Sequence, residues 1–278
     1  MPIENDLEIS LSNRLLMYIP AYNCARYIVS VLDEIPANFW DIADILIIDN
    51  CSTDGTVENI QKARLENRWP KSVNLIQPEK NLGYSGSQKL AYSIALKSPM
   101  TERVIMLHGD GQYPPKLLNE FSPYLDSDFG LVCGYRDKSE YPQKEETPAG
   151  TYRVIKTLSA IESLVTGHSR KEWHTGFVMY SREFLELVDF DGLTDTYHID
   201  GHLQFVSGEL GIQVKEIPIW KRYKDYEQLK GLNRLTYIFH VLRLMVQFRL
   251  QGKNATKTSG DPSVQRFSII PAGSTENQ

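Results

Sequence analysis

Short runs of apolar residues, each ended by a polar or glycine-bearing turn, dominate the first half of the chain. The clearest runs are 15–19, 45–48 and 104–107, and a weaker one covers 73–76. Apolar runs of this length without alternation are typical of strands that are buried on both faces. We therefore predict four core strands in this half and a further strand at 131–134 that closes it.

Segments with helical spacing separate these runs. After the first run, for example, Ile28, Val31, Leu32 and Ile35 recur at the spacing of one helix face. Strands that alternate with helices are joined by right-handed crossovers and form a mostly parallel sheet with helices on both faces. We therefore predict an α/β fold whose polar turns meet at the carboxyl edge of the sheet, where open α/β sheets bind ligands.

The pattern divides the chain of 278 residues into four parts. Residues 1–13 form a polar lead-in, and 14–230 form one α/β domain. Residues 231–252 form an amphipathic helix. The last part, 253–278, is rich in Ser, Thr, Gly and Asn and is predicted to be disordered.

The C-terminal helix has two interpretations. An apolar face is predicted from Leu235, Ile238, Phe239, Leu242, Met245 and Val246. That face either packs on the core or lies on a membrane surface, where Arg234, Arg243 and Arg249 would suit anionic headgroups. The second interpretation predicts peripheral contact through 232–250.

Composition and charge narrow the function classes. A net charge of -5 argues against a dedicated nucleic-acid binder. The odd number of cysteines, Cys24, Cys51 and Cys133, indicates neither a disulfide framework nor a zinc site. The first residues lack the basic and apolar regions of a signal peptide, and no apolar run approaches the length of a membrane span. We expect a cytoplasmic protein, with the inner membrane surface as its place if the helix binds lipid.

The loop after the 104–107 run carries the most distinctive chemistry. His108, Asp110 and Gln112 place an imidazole, a carboxylate and an amide within five residues, and these groups can bind a divalent cation. The alternative is a plain strand-to-helix turn in which Asp110 and Gln112 cap the backbone.

Four motifs in order give the chain a family resemblance. They are Ile19-Pro20-Ala21-Tyr22-Asn23, the turn Asp49-Asn50-Cys51-Ser52-Thr53-Asp54-Gly55-Thr56, Asn81-Leu82-Gly83-Tyr84 leading to Gln88-Lys89, and His108-Gly109-Asp110-Gly111-Gln112-Tyr113-Pro114-Pro115. The chain resembles a family 2 glycosyltransferase with the GT-A fold, of the dolichyl-phosphate-mannose-synthase-like branch. The resemblance covers roughly residues 14–250.

The resemblance implies a nucleotide-diphosphate sugar, UDP- or GDP-linked, as the donor. It also implies Mn²⁺ or Mg²⁺ bound by Asp110 with Gln112 and His108. The residues that it assigns to the donor are Pro20, Tyr22, Asp49, Ser52, Asp54, Gly83, Lys89 and Gly109. Two positions depart from the family pattern, because His108 and Asn50 stand where the family usually has aspartates.

Transfer with inversion at the sugar, which the resemblance also implies, needs the acceptor to be activated. Asp110 would act through the metal, and Asp200 is the predicted general base for a hydroxyl acceptor. The alternative for Asp200 is a helix N-cap. A polyprenyl phosphate acceptor would need cations instead of a base, and we assign that role to Arg222 in the segment Lys221-Arg222-Tyr223-Lys224.

Two rival functions stay open. A nucleotidyltransferase would normally carry a glycine- and lysine-rich loop where Pro20-Ala21-Tyr22-Asn23 stands, and this segment is neither. A non-catalytic sugar-nucleotide or glycan-binding protein would explain His108 as the mark of a lost metal site. The sequence leaves homo-oligomerisation open.

Overall fold

The computed structural model describes residues 9–70, 73–223, 231–251 and 267–270. In chain order the strands and helices are β1 (Leu15–Ala21), α1 (Ile28–Asp33), α2 (Ala37–Ile42), β2 (Ala43–Asp49), α3 (Thr56–Leu65), β3 (Asn74–Pro78), α4 (Gly83–Lys97), β4 (Arg103–Met106), α5 (Leu118–Phe121), β5 (Leu131–Arg136), α6 (Ala149–Thr166), β6 (Val178–Ser181), α7 (Arg182–Glu186), α8 (Ile199–Glu209), β7 (Val214–Ile219), α9 (Gly231–Gln251) and β8 (Phe267–Ile269).

The strands form one sheet in the order β7-β5-β6-β4-β1-β2-β3-β8. Strands β4, β1, β2 and β3 are parallel neighbours, and β5 and β7 form a second parallel pair. Strand β6 runs antiparallel between β4 and β5 and so joins the two parallel groups. The carboxyl ends of β1, β2 and β4 therefore share one edge, as the alternation of strands and helices predicts.

Both faces of the sheet are buried, which explains the unbroken apolar runs. In β1, Met17 and Ile19 pack with residues of α1, α2 and α3. The alternate residues Leu16 and Tyr18 pack with residues of α4, α7 and α8 on the other face. Because successive side chains of a strand point to opposite faces, each residue of β1 except the half-buried Pro20 contributes to one of the two cores. The predicted α/β fold with helices on both faces is confirmed.

The C-terminal helix α9 packs through a different face from the predicted one. Val241, Leu244, Met245 and Phe248 are buried, and they contact Trp173 and Phe205. Of the predicted face, Met245 is buried and Ile238 half-buried. Four other members are exposed, namely Leu235, Phe239, Leu242 and Val246. The prediction was wrong on the packed face because the helix is apolar on more than one side.

Three further points concern the ends of the chain. Residues 1–8, most of the predicted lead-in, lie outside the described residues, and so do residue 252 of the predicted helix and residues 253–266 and 271–278 of the predicted disordered tail. Within that tail, β8 pairs antiparallel with β3 at the sheet edge. Among the described helices, none combines the length and the hydropathy that crossing a bilayer would require.

Candidate active site at the carboxyl edge of the sheet

The first and fourth strands bring two predicted loops into direct contact. The amide of Gly109 donates a hydrogen bond of 3.2 Å to the carbonyl of Pro20. A Cβ at position 109 would lie 2.9 Å from that carbonyl oxygen and 3.1 Å from Ile28 Cδ1. Only glycine permits this approach, so Gly109 and Pro20 join the two loops at the edge of the sheet.

The turn after β2 buries Asp49. Its Oδ2 accepts hydrogen bonds from Gln77 Nε2 at 2.7 Å and from the Ser52 amide at 3.0 Å. Its Oδ1 is buried and has no hydrogen-bond partner in the described part of the chain. A buried carboxylate oxygen without a donor is costly, so this atom is suited to accept from a ligand N–H.

Other residues of this turn hold its shape. Ser52 Oγ accepts from the Asn23 amide, and Asp54 accepts from the Thr56 hydroxyl at 2.6 Å and from the Ala25 amide at 3.0 Å. Burial acts to raise the pKa of Asp54, but these hydrogen bonds hold it below its usual value. The contacts give Ser52 and Asp54 a structural role, and their predicted contact with a nucleotide stays a prediction.

Asn50 has a physical reason to differ from the family's aspartate. Its Nδ2 donates to the Gly83 carbonyl at 3.1 Å, and its Oδ1 accepts from the Leu82 amide at 2.7 Å. A carboxylate could accept but not donate. Gly83 itself begins α4 with a φ of +69° and donates its amide to Asn81 Oδ1. Asn50 therefore fastens the β2 turn to the loop before α4.

We expect Asn50→Asp to lower the free energy of unfolding by about 1–3 kcal/mol, because the Gly83 carbonyl loses its donor and a charge is buried. The measurement is urea denaturation at pH 7. Asn81→Asp is the matched control, since the Asn81 side chain accepts from Gly83 and is exposed. That control should cost no more than about 0.5 kcal/mol. Equal losses in the two variants would contradict the role given to Asn50.

A cavity of about 950 Å³ opens beside these loops. Most of its wall comes from the loop after β4, the helix α6, the segment before β6 and the start of α8, and α4, β5, the segment after β7 and α9 supply the remaining lining residues. Its polar lining residues include Tyr84, His108, Asp110, Gln112, Arg136, His174, His198, Asp200, Lys221, Tyr223 and Tyr237.

Asp110 lies on the donor-loop side of this cavity. Its Oδ1 accepts from the Gln112 amide at 3.0 Å, and the Gln112 carbonyl accepts from the Arg222 amide. The described residues offer no hydrogen bond or ion pair to Asp110 Oδ2. Asp110 therefore fits both interpretations, as a turn residue and as a cation ligand. Its Oδ1 holds the turn, and its Oδ2 is available in the cavity.

His108 is held in a neutral state. Its Nε2 lies 3.4 Å from the Tyr84 hydroxyl and 3.3 Å from the Gly176 carbonyl, and its ring meets the ring of Tyr113 edge-on. Burial lowers the pKa of His108 to about 4, although Asp110 acts in the opposite direction. A Cβ at Gly176 would lie 2.6 Å from Nε2, so a larger residue there would displace the His108 ring. A neutral imidazole beside Asp110 fits a divalent cation, while supplying no charge of its own.

Asp200 lies in a cluster of donors on the opposite wall. Its carboxylate accepts from Tyr84 at 2.9 Å, from Tyr180 at 3.2 Å and from Gln88 at 3.3 Å. Burial raises its pKa to about 6, against the effect of these three hydrogen bonds. The helix α8 has His198 as its N-cap residue, without a side-chain cap. The interpretation of Asp200 as an N-cap is therefore wrong, since its carboxylate points into the Tyr84 cluster.

Two predicted cations do not reach the cavity. Lys89 donates to the Leu193 carbonyl at 3.0 Å and pairs with Asp195 at 2.8 Å. Arg222 pairs with Glu34 at 2.7 Å. The ammonium group of Lys89 and the guanidinium group of Arg222 thus point away from the cavity, and neither residue lines it. Tyr22, 56% exposed, also lies outside that lining.

The cations that line the cavity are Lys221 and Arg136. Lys221 Nζ lies 4.5 Å from the centre of the Tyr113 ring, and its ammonium makes no ion pair with any described residue. Arg136 is buried and paired with Glu172, and it also donates to the His174 carbonyl. The predicted cation Arg222 is therefore replaced by its neighbour Lys221. After β7 the Lys221 side chain points into the cavity, and the Arg222 side chain points away from it.

No local pattern marks Arg136 or Tyr180 in the sequence. Tyr180 and Arg136 lie within apolar strands, where each reads as a core residue. Glycine in Thr175-Gly176-Phe177 was the one available signal, because an isolated glycine beside a strand indicates close approach of another group.

Comparison with known proteins places the chain among sugar-transferring enzymes. The family model described as Glycosyl transferase family 2 matches residues 17–188, which is more than half of the chain. An uncharacterized protein of Methanocaldococcus jannaschii is 23% identical over 238 residues, covering 84% of this chain and 92% of that protein. The poly(ribitol-phosphate) beta-N-acetylglucosaminyltransferase TarS of Staphylococcus aureus is 26% identical over 153 residues, which cover 51% of this chain but only 26% of TarS.

The fold is also found in solved structures. The glucosyl-3-phosphoglycerate synthase of Mycobacterium tuberculosis, in complex with Mn²⁺, UDP-glucose and phosphoglyceric acid, superposes with a TM-score of 0.60. The match covers 86% of this chain and 79% of that one at 16% identity. At this identity the similarity is one of fold, and it confirms the GT-A architecture.

Proposed function

The chain belongs to glycosyl transferase family 2, and from this premise we propose that it transfers a sugar from a nucleotide-diphosphate sugar to an acceptor hydroxyl, with inversion at the anomeric carbon. The observation that carries this proposal is the convergence of Asp110 and Asp200 on one cavity at the carboxyl edge of the sheet. Asp110 would stabilise the departing diphosphate through the metal, and Asp200 would take the proton of the attacking hydroxyl.

The nucleotide would bind at the ends of β1 and β2. The unpartnered Oδ1 of Asp49 supports this placement, because a ring N–H of the base would supply the missing donor. Gly109 and Pro20 would form the floor between the base and the diphosphate, where the backbone of the two loops already meets. The predicted contacts of Tyr22, Ser52, Asp54 and Gly83 with the nucleotide belong to this proposal.

The diphosphate would lie over Asp110. Mn²⁺ or Mg²⁺ would be held there by the Oδ2 atom of Asp110, the neutral His108 and Gln112. The bound ion would supply Lewis-acid stabilisation of the leaving group. Lys221 supports the same placement, because its ammonium lines the cavity without an ion pair among the described residues. The M. tuberculosis synthase, of the same fold, was solved with Mn²⁺ and UDP-glucose.

The acceptor would be activated at Asp200. As the acceptor oxygen forms its bond to the anomeric carbon, its proton passes to the carboxylate, and the bond from that carbon to the diphosphate oxygen breaks. A pKa of about 6 keeps Asp200 ionised at neutral pH yet basic enough to take the proton. A polyprenyl phosphate is the second acceptor class, and Lys221 would serve it in the role first given to Arg222.

The exposed apolar face of α9 supports the predicted contact with a membrane surface. Leu235, Phe239, Leu242 and Val246 are all more than 40% exposed, and Arg243 and Arg249 are exposed on the same helix. Peripheral contact through 232–250 would bring a lipid-linked acceptor to the cavity, since Tyr237 and Ile238 of this helix line it. This contact stays a prediction, as does homo-oligomerisation.

Calorimetric titration of UDP and GDP, each with and without Mn²⁺, tests the donor assignment. We expect one nucleotide to bind and to bind more weakly when Mn²⁺ is removed. Asp49→Asn should weaken that nucleotide by about 10- to 100-fold, because a charge-assisted hydrogen bond contributes about 1.5–3 kcal/mol. Glu58→Gln, an exposed charge change on α3, is the matched control and should leave the affinity unchanged. Folded protein that binds neither nucleotide would overturn the proposal.

A further inference from the structure

A second cluster of metal-binding side chains lies in the cavity wall, away from the donor loop. Glu162 of α6 approaches two histidines: its Oε2 is 2.9 Å from His174 Nε2, and its Oε1 is 2.8 Å from His198 Nε2. All three side chains are at most 3% exposed. Their ligand atoms lie within 4.8 Å of one another, and His174 and His198 line the cavity.

The four atoms of this cluster are short of good hydrogen bonds. Despite the close distances, both Glu162 oxygens and both Nε2 atoms make no hydrogen bond of normal geometry within the described residues. Buried polar atoms are almost always satisfied in folded proteins. Here each carboxylate oxygen has only an ion-pair contact with one imidazole nitrogen, and an ion between them would satisfy all four atoms.

The hydroxyl of Tyr237 contacts the Nδ1 atoms of both histidine rings. Tyr237 Oη lies 2.6 Å from His174 Nδ1 and 3.1 Å from His198 Nδ1. A neutral imidazole carries one hydrogen, and Tyr237 has a single hydroxyl hydrogen to donate. If both Nε2 atoms carried hydrogens toward Glu162, only one Nδ1 could be satisfied unless one ring were protonated. If both Nε2 atoms bound an ion, each Nδ1 would donate to the Tyr237 oxygen, which can accept both.

We propose that Glu162, His174 and His198 form a binding site for a divalent transition-metal ion of the Zn²⁺ type. Two imidazoles and a carboxylate are a donor set of zinc sites, with the fourth position left to water or substrate. Tyr237 supplies the outer acceptor that orients ligating histidines. Because both histidines line the cavity, a water or substrate that filled the fourth position would enter from there.

This site differs in chemistry from the Asp110 loop. It offers two imidazoles and one carboxylate, whereas the loop offers one imidazole, that of His108, with a carboxylate and an amide oxygen. Imidazole nitrogen favours Zn²⁺ and other late transition metals and oxygen ligands favour Mg²⁺ and Mn²⁺, so the second imidazole shifts the preference of this site toward Zn²⁺. The inference goes beyond the proposed sugar transfer and does not depend on it, since it concerns binding alone. It would stand even if neither UDP nor GDP bound.

The test is titration of Co²⁺ into the full-length chain without a histidine tag, after treatment with a chelator. Co²⁺ reports coordination through its visible absorption, which is intense for four ligands and weak for six. We expect one equivalent to give the intense spectrum and Zn²⁺ to displace it. Mg²⁺ at the same concentration should not displace Co²⁺.

Variants assign the ion to the cluster. Glu162→Gln and His198→Asn should each weaken Co²⁺ by more than about 100-fold, since loss of a direct ligand should exceed the 10- to 100-fold effect of outer partners. His168→Gln is the matched control, because His168 lies 3.7 Å from Glu209 in a separate, more exposed pair. Asp110→Asn should likewise retain the spectrum.

The wild-type protein decides the proposal even if a variant fails to fold. A wild-type titration without the intense Co²⁺ spectrum, or without a rise in Tm on adding Zn²⁺, would overturn it and leave the three side chains as a buried ion-paired cluster. Equal loss of binding in His168→Gln would overturn the assignment to these three residues.

Discussion

Replacing Asp110 by asparagine should lower kcat of sugar transfer by about 10³-fold, which corresponds to about 4 kcal/mol in the activation barrier. Asp110 is the one carboxylate of the loop after β4, because His108 is neutral and contributes no charge. The amide in the variant can still accept from the Gln112 backbone, so the turn should keep its shape. The measurement is initial-rate kinetics at saturating donor, together with donor affinity at several Mn²⁺ concentrations.

Asp128→Asn is the control for this result, since Asp128 is an exposed aspartate outside the cavity. It should stay within about twofold of the wild type. If Asp110→Asn bound the nucleotide normally and the wild type showed no turnover, the protein would be a sugar-nucleotide binder with a lost metal site. If Asp110→Asn turned over normally, Lys221 would be the remaining cationic group for the diphosphate.

The fold was predictable because its signals are local. Strand β1, with the sequence Leu15-Leu16-Met17-Tyr18-Ile19-Pro20-Ala21, is buried almost throughout, and so an unbroken apolar run was a sufficient signal. The glycine of the Asp110 loop was likewise readable, because a close approach of two backbones leaves no room for a Cβ. The run that ends at Tyr180 indicates a strand, but the antiparallel place of β6 between β4 and β5 was not predictable, because pairing partners lie far apart in the chain.

The site was only partly predictable, because its members depend on distant contacts. Asp200 was predicted as the general base, but its environment comes from Tyr84, 116 residues away. Lys89 was misplaced because a long side chain on α4 can turn either toward the cavity or toward Asp195, and the sequence does not distinguish them. The cluster of Glu162, His174 and His198 brings together three separate segments, so no residue spacing in the sequence could indicate it.

The same environment makes Asp200 an unusual aspartate for a merely structural role. Its folded pKa of about 6 lies above the ordinary value of 3.8, and burial is the main cause. A carboxyl group with a raised pKa stabilises the fold when protonated, and this contribution is lost as the pH rises through about 6. At pH 7 the charged form therefore opposes folding, as is common where a residue is retained for its chemistry.

We expect Asp200→Asn to lower kcat by about 10²- to 10⁴-fold for a hydroxyl acceptor, the usual contribution of a general base. In the wild type, activity should fall as the pH drops below about 6, because protonated Asp200 cannot accept the proton. In Asp200→Asn the remaining activity should lose this acid limb. Its free energy of unfolding at pH 7 should be unchanged or higher, because a buried charge has been removed.

Asp195→Asn provides the control for Asp200, since Asp195 lies five residues earlier and its side chain is 86% exposed. That variant should keep both the rate and the acid limb of the pH profile. If Asp200→Asn instead lost stability and kept the wild-type pH profile, Asp200 would only hold Tyr84 and Tyr180 in place. If it kept full activity with a normal fold, the acceptor would be an anion that needs no base, and the polyprenyl phosphate class would replace the hydroxyl class.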